Sequence, residues 1–206
     1  MTAPVLNDAL RTSYQQLFDS CVVAPAHTSE VESTVKQIAA NQARYTAVAT
    51  PLGIPWFFVG LIHCMEASLS FKCHLHNGDP LTARTVDVPK GRPVTGTPPF
   101  TWEESATDAL TFEGFAHLTD WTLPALLYRL EEYNGFGYRN HGVNTPYLWS
   151  YSNHYTAGKY ASDGVWSPTL VSKECGAAVL LRRMAQKGLI EFEGETKPPV
   201  DTPSPA

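Results

Sequence analysis

The chain has little cysteine, little net charge, and no apolar stretch long enough to cross a bilayer. Its four cysteines, Cys21, Cys64, Cys73 and Cys175, are widely spaced and form no paired motif. That excludes a disulfide framework read from spacing, so buried free thiols are expected, although Cys64 and Cys73 are close enough in sequence to approach each other. A formal net charge of −5 excludes the broad basic footprint that nonspecific nucleic-acid binding needs. The first residues, Met1 to Ala9, lack a basic segment followed by an apolar core, so no secretory signal is expected. No internal repeat is present. No cofactor and no resident metal are expected, nor any partner copy, so a monomer without membrane insertion is the expectation.

What remains is a chain of 206 residues with enough apolar content for one sizeable core. A single domain over 1–192 is expected, followed by a proline-rich tail or linker stub over 193–206, since a run such as Lys197-Pro-Pro-Val cannot bury a core.

The apolar run from Ile54 to Phe71 carries the central pattern. Ile54, Phe58, Leu61, Ile62, Met65 and Leu69 recur at the spacing of one helical face. At about 100° per residue, Glu66 lies a quarter turn from the centre of that stripe, so its carboxyl is expected to be half wet. Partial burial penalises the charged form and raises a carboxyl pKa, as a general acid requires near neutral pH. The bland alternative is a boundary glutamate paired with a nearby histidine or with Lys72.

The helix must end before His74-Leu-His-Asn-Gly-Asp-Pro80, because asparagine and glycine tolerate positive φ and proline pre-sets its own. The segment 72–100 is rich in proline and glycine and contains Thr85-Val-Asp-Val88, which predicts a small hairpin or irregular lobe forming one wall of a cleft. Cleavage of a sugar–sugar bond uses two carboxyl groups, one protonating the leaving oxygen and the other acting as nucleophile or base. Asp79 is the candidate for the second, with Asp87 behind it. The competing role for Asp79 is a turn residue bonded to its own backbone.

Three segments together carry a family resemblance: Gly60-Leu-Ile-His-Cys-Met-Glu66-Ala-Ser68, His74-Leu-His-Asn-Gly-Asp-Pro-Leu81, and Glu131-Glu-Tyr133-Asn134-Gly135. They resemble the lysozyme and lytic transglycosylase superfamily, in particular a bacterial and phage group of lysozyme-like proteins. The resemblance covers roughly residues 53–164. It implies a catalytic glutamate closing a helix, here Glu66, with a serine two positions on, here Ser68. It also implies a tyrosine–asparagine pair lining the sugar cleft, here Tyr133 and Asn134. The implied activity is a peptidoglycan glycosidase, a muramidase cleaving the β-1,4 bond between N-acetylmuramic acid and N-acetylglucosamine in the glycan strands. Alanine rather than serine follows Glu66, and no alanine separates Asn134 from Gly135, so hydrolysis and the lytic reaction both stay open. An enzyme of this kind without a signal reaches the wall by holin-type release, by a secretion machine or after lysis. Its net acidity offers no pull toward an acidic wall, so affinity must come from shape, stacking and hydrogen bonds.

The other elements are expected to be helices packed around the central one: 7–21, 29–49, 101–117, and a fourth from Trp121 that ends at Tyr133-Asn134-Gly135. Ser29-x-x-Glu32 and Thr101-x-x-Glu104 have capping-box spacing. Ser167-Pro168 predicts the start of a final helix running to Lys187. The fold class is therefore α+β, mainly α. Between the last two helices, 134–166 is dense in aromatics; of these, Tyr147 beside Pro146 is the strongest candidate for a sugar contact, with His76 and Asn77 added from the glycine loop.

Two other classes compete. Cys73, His74, His76, His63 and Glu66 are zinc-type ligands, so a zinc hydrolase is the second reading, although the His-Glu-x-x-His signature is absent. A non-catalytic module that binds wall sugars through the same cleft is the third.

Overall fold

The structure is a computed structural model that describes residues 3–162 and 164–194. Its centre is α4 (Trp56–Ala67), in which Phe57 to His63 are all buried. A helix that is apolar all round must be enclosed. Around it pack α2 (Thr28–Ala40), α3 (Gln42–Leu52), α6 (Leu123–Asn134) and α8 (Ala177–Gln186). Gly60 lets two neighbours come close, because a Cβ there would stand 2.8 Å from Ile38 and 3.1 Å from the Tyr45 ring. α1 (Asp8–Asp19) lies on α6, and α5 (Trp102–Phe112) lies on α3. A short helix, α7 (Pro146–Trp149), wedges between α6 and α8. Among the described residues no single helix is long and apolar enough to cross a membrane.

The only sheet among the described residues is a two-stranded antiparallel hairpin, β1 (Lys159–Ser162) and β2 (Val165–Ser167), with Tyr160 opposite Trp166. The fold is thus α+β and mainly α. The segment after the central helix is the irregular alternative of the two expected, held by an isolated bridge between Cys73 and Pro80. The hairpin comes later in the chain.

Several boundaries differ from the sequence pattern, each for a local reason. The central helix stops at Ala67, because Ser68 and Leu69 both take left-handed backbone (φ 48° and 60°) and the Leu69 N–H turns back to the His63 carbonyl at 3.2 Å. The expected helix over 29–49 is two helices broken at Asn41, whose side-chain amide donates to the Gln37 carbonyl at 2.9 Å. The Ser29 capping box does not form. Glu32 instead binds Arg183 and, at 2.8 Å, Lys187, joining α2 to α8. The Thr101–Glu104 box does form, with bonds of 3.2 and 2.7 Å, but its helix ends at Phe112 rather than His117 as Phe115 drops into the core.

The largest correction is the last helix. It opens at Gly176, not at Ser167-Pro168, because Ser167 is taken into β2 opposite Lys159. Gly176 has a second role: a Cβ there would lie 2.2 Å from the Leu148 carbonyl oxygen, so only glycine lets this segment cross α7. The Gly176 N–H donates to the Ser150 carbonyl at 3.0 Å at that crossing.

A buried polar cluster ties α1 to α6. Arg139 clamps both oxygens of Glu131 at 2.7 Å, and Tyr14 donates its hydroxyl to the same carboxylate at 2.7 Å. Glu131, part of the motif that ends α6, is therefore structural. All four cysteines are free thiols, Cys21 and Cys175 buried and the other two half-buried. The proline-rich stretch from 195 onward lies outside the described residues.

Candidate active site

Glu66 occupies the last turn of α4, where the helix emerges from the core. Its Oε1 accepts a hydrogen bond of 2.9 Å from the Tyr147 hydroxyl. α7 holds Tyr147 in place: Thr145 Oγ1 caps it by accepting the Tyr147 N–H at 3.3 Å, and Leu148 and Trp149 are sunk in the core beside it. Burial pushes the Glu66 carboxyl up to about 7, the Tyr147 bond pulls it down, and the charges of Glu113 and Glu174 add to the rise. Near neutral pH it is shared between acid and carboxylate. Burial and the Glu66 charge keep the Tyr147 hydroxyl well above the usual phenol range, so Tyr147 stays a donor.

Tyr133, at the end of α6, is raised in the same way by burial and by the charges of Glu66 and Glu113. Its hydroxyl donates to the Leu75 carbonyl at 2.9 Å, joining α6 to the lobe behind Glu66. Asn134 reaches Thr145 Oγ1 at 3.4 Å. The aromatic pair and the glutamate thus come from three elements, α4, α6 and α7.

Glu66 and Tyr147 line a hollow of about 190 Å³ with Met65, Asn134, Lys159 and Glu174 among its other walls. A second hollow of about 200 Å³ shares Met65 and Glu174 with it and adds Ser68 and Lys173. A third, of about 420 Å³, shares Asn134 and Tyr138 and runs along Tyr160 and Gly164 of the hairpin. The Glu66 hollow thus shares walls with each of the other two, and the three adjoining hollows form the groove.

The residues of the glycine loop face elsewhere. Asp79 Oδ2 accepts the N–H groups of Val86 and Asp87 at 2.8 and 3.2 Å and the Asn77 amide at 3.0 Å, while Asn77 Oδ1 accepts the Asp79 N–H at 3.0 Å. Burial acts upward on the Asp79 carboxyl, but these N–H groups hold it below the usual range. It is the anchor of the lobe, the turn role, and it is not among the residues lining the Glu66 hollow. His76 donates or accepts at 2.8 Å with Asp108, which Arg92 also grips at 2.8 and 2.9 Å. Burial lowers the His76 pKa against the pull of Asp108. His76 and Asn77 therefore organise the lobe and do not reach the groove. Ser68 is exposed on the wall of the second hollow.

The zinc-type residues are engaged separately. His63 Nδ1 meets the Tyr45 hydroxyl at 3.0 Å, and His74 is held by Ser105 and the Ala83 carbonyl, both at 2.8 Å. Among the described residues no three of histidine, cysteine, aspartate and glutamate gather into a metal-holding group.

The sequence pattern missed Glu174, Lys159 and Ser172 in the groove. Glu174 falls inside the helix expected from Ser167, where it reads as a surface residue. The signal that would have placed it is Gly176, a glycine just before the apolar run 177–181 and a possible helix cap. Comparison with protein-family models, with curated proteins and with solved structures finds no match for this chain.

Proposed function

We propose that this chain is a glycoside hydrolase that cleaves the β-1,4 bond between N-acetylmuramic acid and N-acetylglucosamine in peptidoglycan, with Glu66 as the general acid. One observation carries this reading: a half-buried carboxyl pushed up to about 7 and held by a buried phenol, in a hollow that adjoins two others. Adjoining hollows on either side of the acid give room for sugar units on both sides of a bond, and an acid with a pKa near neutrality suits proton delivery to a poor leaving group.

With Oε1 engaged by Tyr147, the free oxygen of Glu66 carries the proton toward the glycosidic oxygen. Tyr147 fixes the carboxyl plane and, as the proton leaves, stabilises the carboxylate that forms. Asn134 lines the same hollow, and Tyr133 ties α6 to the lobe behind it. The chain is acidic overall, but Lys159 and Lys173 on the groove walls offer local positive charge to an acidic strand.

The test is mass spectrometry of soluble fragments released from purified peptidoglycan, with Glu66→Gln run alongside. Wild type is expected to release disaccharide-peptide fragments, and the variant to bind the wall while losing turnover by about 10²–10⁴-fold. No fragments from wild type, or equal release by the variant, overturns the reading.

A further inference from the structure

With Asp79 taken up by the lobe, Glu66 is left without an assigned second carboxylate. We propose that Glu174 is the second carboxylate of this site, holding the water that attacks the anomeric carbon, so that the reaction is hydrolysis rather than attack by the sugar's own 6-hydroxyl. This rests on the glycosidase reading above.

Three observations carry it. Glu174 lines both the hollow that contains Glu66 and the neighbouring hollow, so it stands where the two sections of groove meet. It is exposed, and its carboxylate has no hydrogen-bond or ion-pair partner among the described residues, whereas Asp79, Glu131 and Asp108 each have theirs. The segment that carries it is fixed at both sides. The Glu174 N–H donates to Ser172 Oγ at 3.4 Å, and two residues on Gly176 is locked into its crossing with α7. A free carboxylate on a rigid mount beside an acid is what a water-activating base needs.

The step balances without any further reactant. The water oxygen forms a bond to the anomeric carbon while its proton passes to the Glu174 carboxylate. The bond from that carbon to the bridging oxygen breaks, and Glu66 gives its proton to the departing oxygen. Two hydroxyl-ended sugars result, and Glu174 returns its proton to Glu66 through solvent.

The experiment compares wild type, Glu174→Gln and Glu174→Ala on purified peptidoglycan in water enriched in oxygen-18, reading fragment ends by mass spectrometry and kcat against pH. Wild type is expected to give reducing muramic ends carrying one heavy oxygen. Glu174→Gln is expected to lose about 10²–10⁴-fold in kcat across the whole profile. Azide added to Glu174→Ala is expected to restore turnover with a glycosyl azide product, because a small anion can attack without a base. Anhydro-muramic ends from wild type overturn the proposal and leave Glu66 as the acid of a lytic reaction. A Glu174→Gln variant that keeps its acidic plateau and only moves its alkaline limb to lower pH also overturns it, since Glu174 would then act solely through its charge on Glu66. In either case an inactive Glu66→Gln keeps the glycosidase reading standing. An inactive wild type ends both.

Discussion

The hydroxyl of Tyr147 and the carboxylate of Glu66 meet at 2.9 Å across 81 residues of chain, and this bond opposes the burial that raises the acid. Removing the donor leaves burial and the charges of Glu113 and Glu174 unopposed, so the Glu66 pKa must rise further. For a group that works protonated, the alkaline limb of activity then moves to higher pH. Tyr147→Phe is expected to show that upward displacement in a kcat profile, with a plateau lowered by about tenfold at most, the scale of one ordinary hydrogen bond. A limb that stayed in place or moved down would mean that the bond does not tune Glu66.

The same acid links stability to pH. Glu66 holds its proton up to about 7 in the folded chain, against an ordinary 4.5. Its contribution is therefore fully present below pH ~4.5 and is lost as pH rises through about 7. Glu66→Gln removes that loss. Urea unfolding is expected to find the variant and wild type alike at pH 4 and the variant more stable at pH 8, by on the order of 3 kcal/mol as an upper bound.

Asp108 holds the lobe together by binding His76 and Arg92 at once, all three largely out of water. Taking away the shared anion strands a buried cation and a buried ring nitrogen. Asp108→Ala is expected to cost about 3 kcal/mol in chemical denaturation. His76→Ala should also destabilise, and its KM for wall fragments should stay near that of wild type, since His76 lies away from the groove.

At Gly78 the lobe comes up against the end of α4. It has φ +81°, and a Cβ there would meet the Glu66 backbone carbonyl at 3.0 Å. Gly78→Ala combines that contact with a left-handed conformation, so a loss of about 1–3 kcal/mol is expected. A fall in kcat should accompany it, because the strain presses on the turn that aims Glu66. A variant as stable and as active as wild type would show that the loop and the helix end are independent.

Much of this site was legible from residue order because its acid obeys a local rule. A glutamate a quarter turn from an apolar stripe is half-buried wherever that helix packs, and the proline–tyrosine pair at 146–147 marked a rigid aromatic in a long connection. Asp79 misled because turn chemistry and cleft chemistry ask for the same residue: a carboxylate next to glycine can serve a sugar or serve its own backbone, and here nearby N–H groups take it. Glu174 was hidden by a helix-start signal at Ser167-Pro168 that strand pairing overrides. Neither the pairing of Lys159 with Ser167 nor the crossing of Gly176 over Leu148 has a signature in neighbouring residues, since both depend on segments meeting only after the chain has folded.

That crossing also couples two walls of the Glu66 hollow. Tyr147 lies one residue before Leu148 and Glu174 two residues before Gly176, so both side chains hang from one backbone joint too tight for any side chain. The spacing between the two side chains is therefore set by that joint and not by either side chain's own packing, so a substitution at Gly176 is expected to displace Tyr147 and Glu174 relative to each other although it touches neither.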